Sequence, residues 1–359
     1  MTTMKNLTFE RFIPKGKYHN TKTFNKNFFS KSINNAKRNI EYKKSIFHTF
    51  SKNFELNFKP RELKEFKKYR RIIFIGMGGS ILGSEAINRF LLKNNTKDVH
   101  FINNLDLDII NKVKNLKKSL FVIISKSGNT IETLSIVQSL AETVSFNKRN
   151  TLIITENKNN QLNLFAKKLN IKVIFHRNYV GGRYSIFSET ALVPCYLLGL
   201  NIKKFRKNIL NFLYKKKNDL ENNLINLKKI YDSKKINSLI LLTYSTDLKY
   251  FLLWCQQLIA ESLGKNGKGI IPVISVAPRD HHSLLQLYLD GPKDKFFYIF
   301  SKNEKTQLYN RNSLFSKILN KSNSSKVLKE QKNAMVNLLR EKNIPFLSIN
   351  IKKNNEETL

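Results

Sequence analysis

Cysteine, proline, glycine and acidic residues are all scarce in this chain, and each shortage removes possibilities. There are only two cysteines, Cys195 and Cys255, both inside apolar segments. They argue for buried thiols in a reducing cytoplasm rather than a disulfide or a metal site. No run of 18 or more apolar residues occurs, so no membrane-spanning helix and no membrane partner is expected. The first 44 residues lack the apolar stretch of a secretory signal. They are poor in acids, as transit peptides are, but their basic residues are mostly Lys. The same bias runs through the whole chain, so the segment reads as compositional drift and the location as cytoplasmic.

Against 26 acidic residues stand 64 Lys and Arg, a formal charge of +38. Such a balance suits a nucleic-acid partner when the cations gather on one helix or arm. Here they are scattered over nearly every polar segment, and Asn, Ile and Phe are abundant throughout. We read a genome-wide codon bias and expect no nucleic-acid partner. The charge still draws anionic small molecules toward the surface.

With 41% hydrophobic residues in 359, the chain can build two cored domains. Residues 71–175 repeat one pattern: a short apolar run, a turn, then a helical period. The runs are Arg71–Gly76, Val99–Ile102, Leu120–Ser125, Thr151–Thr155 and Lys172–Phe175. Strands apolar throughout, alternating with helices, predict a parallel sheet covered on both faces in a doubly wound α/β domain. A second such region follows, with strands at 238–243, 273–276, 295–300 and 346–349. The expected division is a helical N-terminal arm over 1–60, a first domain over 61–200, a helical linker over 201–235 and a second domain over 236–359. Residues 302–325 read as a surface loop.

Where the few glycines fall is informative. Ile75 to Gly83 reads Ile-Gly-Met-Gly-Gly-Ser-Ile-Leu-Gly, directly after a strand and opening a helix. Backbone amides and a helix N-terminus there favour an anion, but the spacing is wrong for a dinucleotide fingerprint. At the next strand end stands Ser125-Lys126-Ser127-Gly128-Asn129-Thr130. Its hydroxyls and amides suit a phosphate monoester. Asn129 and Glu132 have capping-box spacing, which leaves Ser125, Ser127 and Gly128 unexplained.

Three further segments carry chemistry. Gly181-Gly182-Arg183-Tyr184-Ser185 puts an Arg after two glycines, where it can reach an anion or a developing oxyanion, or simply face solvent. Gln257 and Glu261 share one face of a largely apolar helix, which makes Glu261 a candidate base with a raised pKa, or an exposed helix-end carboxylate. Asp280-His281-His282-Ser283 suits proton transfer better than metal binding, since adjacent residues rarely aim at one ion. Ser283 and Gln286 again have capping-box spacing.

Together these five segments, in this order over about 210 residues, resemble the glucose-6-phosphate isomerase family, which is built from two sugar-isomerase (SIS) domains. The resemblance implies two SIS-type doubly wound αβα domains and interconversion of glucose 6-phosphate and fructose 6-phosphate through a cis-enediolate, with no cofactor and no metal. It implies that Ser125, Lys126, Ser127 and Thr130 hold the phosphate, with Gly79 and Ser80 close by, and that Gln257 contacts the sugar. It makes Glu261 the base, Arg183 the stabiliser of the enediolate and His282 the residue assisting ring opening. In this family that His comes from the neighbouring subunit, so a homodimer with shared active sites is implied. Family members continue past a Glu-Glu-Thr-Leu-like segment into a helical tail bearing a Lys; with Leu359 last, that Lys and helix are expected to be missing. Non-catalytic sugar-phosphate binding and a dual glucose/mannose phosphate isomerase are the alternative readings.

Overall fold

The computed structural model describes residues 2–358 apart from 5, 19–25, 93–95, 106–115, 208, 211–212, 215–216, 304–322 and 357. The chain divides into two compact units. One is Asn27–Leu220; the other joins Met1–Lys26 to Glu221–Leu359. Among the described residues no helix is long and apolar enough to cross a membrane.

The Asn27–Leu220 unit holds a five-stranded parallel sheet. Its strands are β3 (Arg71–Gly76), β4 (Asp98–Ile102), β5 (Leu120–Ile124), β6 (Thr151–Glu156) and β7 (Lys172–His176), in the order β4-β3-β5-β6-β7. Every residue of β5 and β6 is buried, which requires cover on both faces and explains why these strands read as unbroken apolar runs. Alternate residues take opposite sides. Ile73, Ile75, Phe121, Ile123 and Ile153 pack with Ile136, Val137 and Leu140 of helix Ile131–Ala141 and with Leu162 and Ala166 of helix Gln161–Leu169. In chain order the helices are α1 (Lys26–Glu41), α2 (Leu82–Leu91), α3 (Ile131–Ala141), α4 (Gln161–Leu169), α5 (Glu189–Leu197) and α6 (Ile202–Arg206). Asn160 caps α4 by accepting from Asn163 N, and Asn170 closes it in the left-handed conformation.

The other unit carries a six-stranded sheet ordered β1-β2-β11-β10-β8-β9. Strands β8 (Ser238–Thr243), β9 (Ile271–Val276), β10 (Lys295–Lys302) and β11 (Phe346–Ile351) are mutually parallel. Helices α7 (Lys217–Asp232), α8 (Lys249–Leu263), α9 (His281–Leu289) and α10 (Ser324–Glu341) complete the described part. Met335, Val336 and Leu339 of α10 and Tyr288 of α9 pack on Ile240, Leu242, Phe297, Ile299 and Phe346.

The N-terminus departs from the expected helical arm. Thr2–Met4 and Leu7–Phe12 form strands β1 and β2, an antiparallel pair, and β2 lies antiparallel on β11. The parallel sheet would otherwise end at β11, whose outer N–H and C=O groups need partners. That demand overrides local composition, and the helical elements in the rest of the expected arm's described part are α1, a short 3-10 turn at Ile46–Phe50, and the start of a 3-10 helix at Pro60. The expected linker contains α6 and α7, and the line between the units falls inside α7 rather than at its end. Most of the expected loop at 302–325 lies outside the described residues.

Candidate functional site

All five parallel strands of the Asn27–Leu220 unit end at the same sheet edge, where ligands of open α/β sheets bind. Gly76 pairs with Ile124, so the turns leaving β3 and β5 start side by side. At the second turn three hydroxyls converge. Ser125 Oγ lies 2.8 Å from Thr130 Oγ1 and 3.4 Å from Ser127 Oγ, and Ser127 Oγ lies 3.3 Å from Thr130 Oγ1. Gly128 N donates to Ser125 Oγ and Asn129 N to Ser127 Oγ. Gly128 is required twice over: its φ is +69° and an added Cβ would sit 2.2 Å from the Asn160 side chain.

Asn129 does not form the expected capping box. The α3 N-cap is Thr130, with no side-chain cap bond, and Asn129 Oδ1 accepts instead from Gln161 N at the start of α4. Lys126 has protein partners of its own. Its Nζ donates to Asn178 O at 2.7 Å and lies 3.5 Å from Glu156 Oε1. Burial pushes the Glu156 carboxyl up, but the hydrogen bond from Lys158 and the charge of Lys126 outweigh it and hold the group below the usual carboxylate range.

The first glycine turn is in backbone contact with the Arg183 turn. A Cβ on Gly79 would fall 2.2 Å from Gly182 C and 2.6 Å from Arg183 N. Ser185 Oγ lies within hydrogen-bond distance of Gly79 O (3.0 Å) and Gly182 O (2.7 Å), while Thr190 Oγ1 donates to Ser185 Oγ. Two elements more than 100 residues apart are thus fastened together, and the Arg183 guanidinium lies over the Tyr184 ring at 4.5 Å.

Gln257, Glu261 and His282 belong to the other unit. Gln257 Nε2 donates to Glu261 Oε1 at 2.7 Å, as their shared helix face requires. Glu261 is exposed near the end of α8 rather than enclosed by apolar neighbours. His282 is exposed in the first turn of α9. The helix begins at His281, so Ser283 lies inside the first turn and is not its cap. His281 is the half-buried member of the pair, with Nε2 2.8 Å from Tyr244 OH. Burial, then the neighbouring His282, pushes His281 below its ordinary pKa. The preceding Asp280 accepts from Val276 N and Arg279 Nε. Among the described residues no group of His, Cys, Asp and Glu is placed to hold a metal ion.

Sequence reasoning passed over two sets of residues. Asn160 buttresses the hydroxyl turn by packing its side chain against Gly128, and its signal was the Asn before a helical period. Glu189 and His176 form a buried pair, with the half-buried Arg177 beside them, signalled only by an acid opening an apolar helix.

With that geometry in place, the chain compares directly with known proteins. The phosphoglucose isomerase family model matches residues 26–275. The glucose-6-phosphate isomerase of Methanocaldococcus jannaschii is 38% identical over 244 residues, covering 65% of this chain and 60% of that protein. That of Campylobacter jejuni is 34% identical over 270 residues, covering 69% of this chain and 65% of that protein. A solved glucose-6-phosphate isomerase from Chlamydia trachomatis superposes with a TM-score of 0.73 at 16% identity, covering 99% of this chain and 81% of that one. The structural likeness shows the fold, a two-domain sugar-isomerase architecture of the class expected from the sequence. The chain belongs to the phosphoglucose isomerase family. It spans less than two thirds of the length of the two relatives just named. Gln257 and Glu261 lie within the matched stretch, and His282 lies beyond it.

Proposed function

We propose that this chain is an aldose–ketose isomerase that interconverts glucose 6-phosphate and fructose 6-phosphate through a cis-enediolate. The observation that carries the reading is the triangle of Ser125, Ser127 and Thr130 hydroxyls at a strand end, set in a chain that matches the family over 26–275. Hydroxyls, strand-end amides and the α3 N-terminus together suit a phosphate monoester.

The roles follow from the chemistry. Glu261 takes the proton from carbon 2; that electron pair forms the C1–C2 double bond as the C1 carbonyl π pair moves onto O1. A proton passes from O2 to O1, and as the O2 pair forms the C2 carbonyl the double-bond pair takes the proton back from the same carboxylic acid at carbon 1. Arg183, fixed on its Gly turn, faces the charge growing on the enediolate oxygens. His282 moves the proton that opens the sugar ring, and Gln257 orients both Glu261 and a sugar hydroxyl. Lys126, held by Glu156 and Asn178, adds long-range positive charge rather than a direct contact. We place the working form in the cytoplasm as a homodimer sharing His282 between subunits; a one-chain mass in sedimentation velocity would refute the dimer.

The test is glucose 6-phosphate formation from fructose 6-phosphate by the purified chain. Glu261→Gln should lower kcat by at least about 100-fold, the size typical of losing a positioned general base, with sugar-phosphate affinity retained. Normal rates in that variant would remove Glu261 as the base. Sugar-phosphate binding without turnover in the native chain would instead mean a sensor.

A further inference from the structure

His176, ending β7, and Glu189, opening α5, stand at the two stems of the turn that carries Arg183. Neither side chain has any solvent exposure. His176 Nε2 lies 3.0 Å from Val180 O, and because a carbonyl only accepts, Nε2 carries a hydrogen. Nδ1 then faces Glu189 Oε2 at 3.4 Å, and neither atom has another hydrogen-bond partner among the described residues. Two bare acceptors buried face to face would each bear a desolvation penalty with no return. One proton therefore lies between them.

The remaining carboxylate oxygen, Glu189 Oε1, accepts from Asn57 N at 3.0 Å and Arg177 Nη1 at 3.2 Å. Arg177 and Arg206 both stack on Phe54, at 4.7 and 5.2 Å. Arg206 ties the far side of the loop by donating to Phe187 O and Ser51 O. Helix α5 is otherwise almost wholly apolar, so an apolar residue would serve packing alone, and a buried ion pair is weak evidence for stability. What the pair does have is a location: one member grips Val180, immediately before Gly181, and the other begins the helix immediately after Ser188.

We propose that His176 and Glu189 are positioning residues for Arg183, sharing one buried proton that ties the two stems of its turn and fixes where the guanidinium points. The kinetic part of this inference rests on the isomerase reading above. The test compares Glu189→Ala, Glu189→Gln and His176→Asn in the full chain. Glu189→Ala should lower kcat about 10- to 100-fold, approaching the loss of one oxyanion donor, with KM changed less than about threefold because the hydroxyl cradle stays intact. Glu189→Gln should recover most of that loss, since its amide oxygen still accepts from Asn57 and Arg177 while its NH2 donates to Nδ1. His176→Asn keeps a donor toward Glu189 and drops the Val180 tether, so a folded protein with reduced kcat is expected even if Glu189→Ala fails to fold.

A second readout separates this inference from the isomerase reading. The affinity ratio of a five-carbon aldonate phosphate, whose carboxylate stands in for the enediolate, to the matching alditol phosphate reports Arg183 without turnover. A ratio that collapses in Glu189→Ala and returns in Glu189→Gln supports positioning even if the native chain does not isomerise. An unchanged ratio or unchanged kcat in folded Glu189→Ala and His176→Asn overturns it. So does a Gln variant as impaired as the Ala variant.

Discussion

At the scale of single residues, the site depends on positions where a side chain is forbidden as much as on those where one acts. Gly79 is the clearest. An added Cβ would lie 2.2 Å from the carbonyl carbon of Gly182, an atom of a second backbone that cannot swing aside. We expect Gly79→Ala to cost about 1–3 kcal/mol or more through overpacking, and to lower kcat by displacing the Arg183 turn; urea unfolding and steady-state kinetics on one preparation check both. Glu189 gives a pH prediction. Burial pushes its carboxyl up, but His176, Asn57 N and its own backbone hold it below the ordinary range. The folded chain thus binds fewer protons there than the unfolded chain. The associated stability is complete above the ordinary Glu pKa of about 4.3 and drains away as pH falls toward the depressed folded value. Urea midpoints at pH 7 and at pH 3.5 should therefore differ less in Glu189→Gln than in the native chain. Neither glycine contact nor buried proton could be read from sequence, because each depends on two residues that only the fold brings together. The Ser125–Thr130 hydroxyls could be read, because five consecutive peptide units already confine them.

At the scale of elements, the periodicity of residues 71–175 set out the five parallel strands within a residue or two. Strands buried on both faces leave an unmistakable apolar run, and helices between them leave a 3.6-residue rhythm. The signal failed for β1 and β2. Leu-Thr-Phe-Glu-Arg-Phe is half polar, and its partner β11 lies at the far end of the chain. Nothing local marks it as a strand; the reason it is one is the unpaired edge of another strand. Removing residues 2–12 should expose that edge and uncover Phe346, on which Phe12 stacks at 5.8 Å. We expect a lower melting temperature for the six-stranded unit and concentration-dependent aggregation, read by calorimetry and light scattering. Retained melting behaviour with no aggregation would show the hairpin to be dispensable.

At the scale of the whole molecule, the charge of +38 surrounds a chain proposed to act on dianionic sugar phosphates. Screening lengths shrink from about 30 Å at 0.01 M salt to about 8 Å at 0.15 M. Capture of the substrate should weaken accordingly, so kcat/KM should fall severalfold across that range while kcat holds steady. A salt-independent kcat/KM would mean that the scattered lysines do not steer substrate. The even scatter of the lysines argued against a nucleic-acid partner, and the motifs at the strand ends pointed to a small anion.

The pairing of Phe12 with Phe346 spans roughly 330 residues, and a ribosome reads the chain from one end. At about 5–20 residues per second, β2 emerges about 20–60 seconds before the strand it must lie against. The whole Asn27–Leu220 unit is made, and can close on itself, in that interval. The first hairpin therefore waits, while a whole domain is completed, as a pair of strands whose outer partner does not yet exist. A nascent-chain chaperone, or the crowd of its own copies on one message, would meet it first.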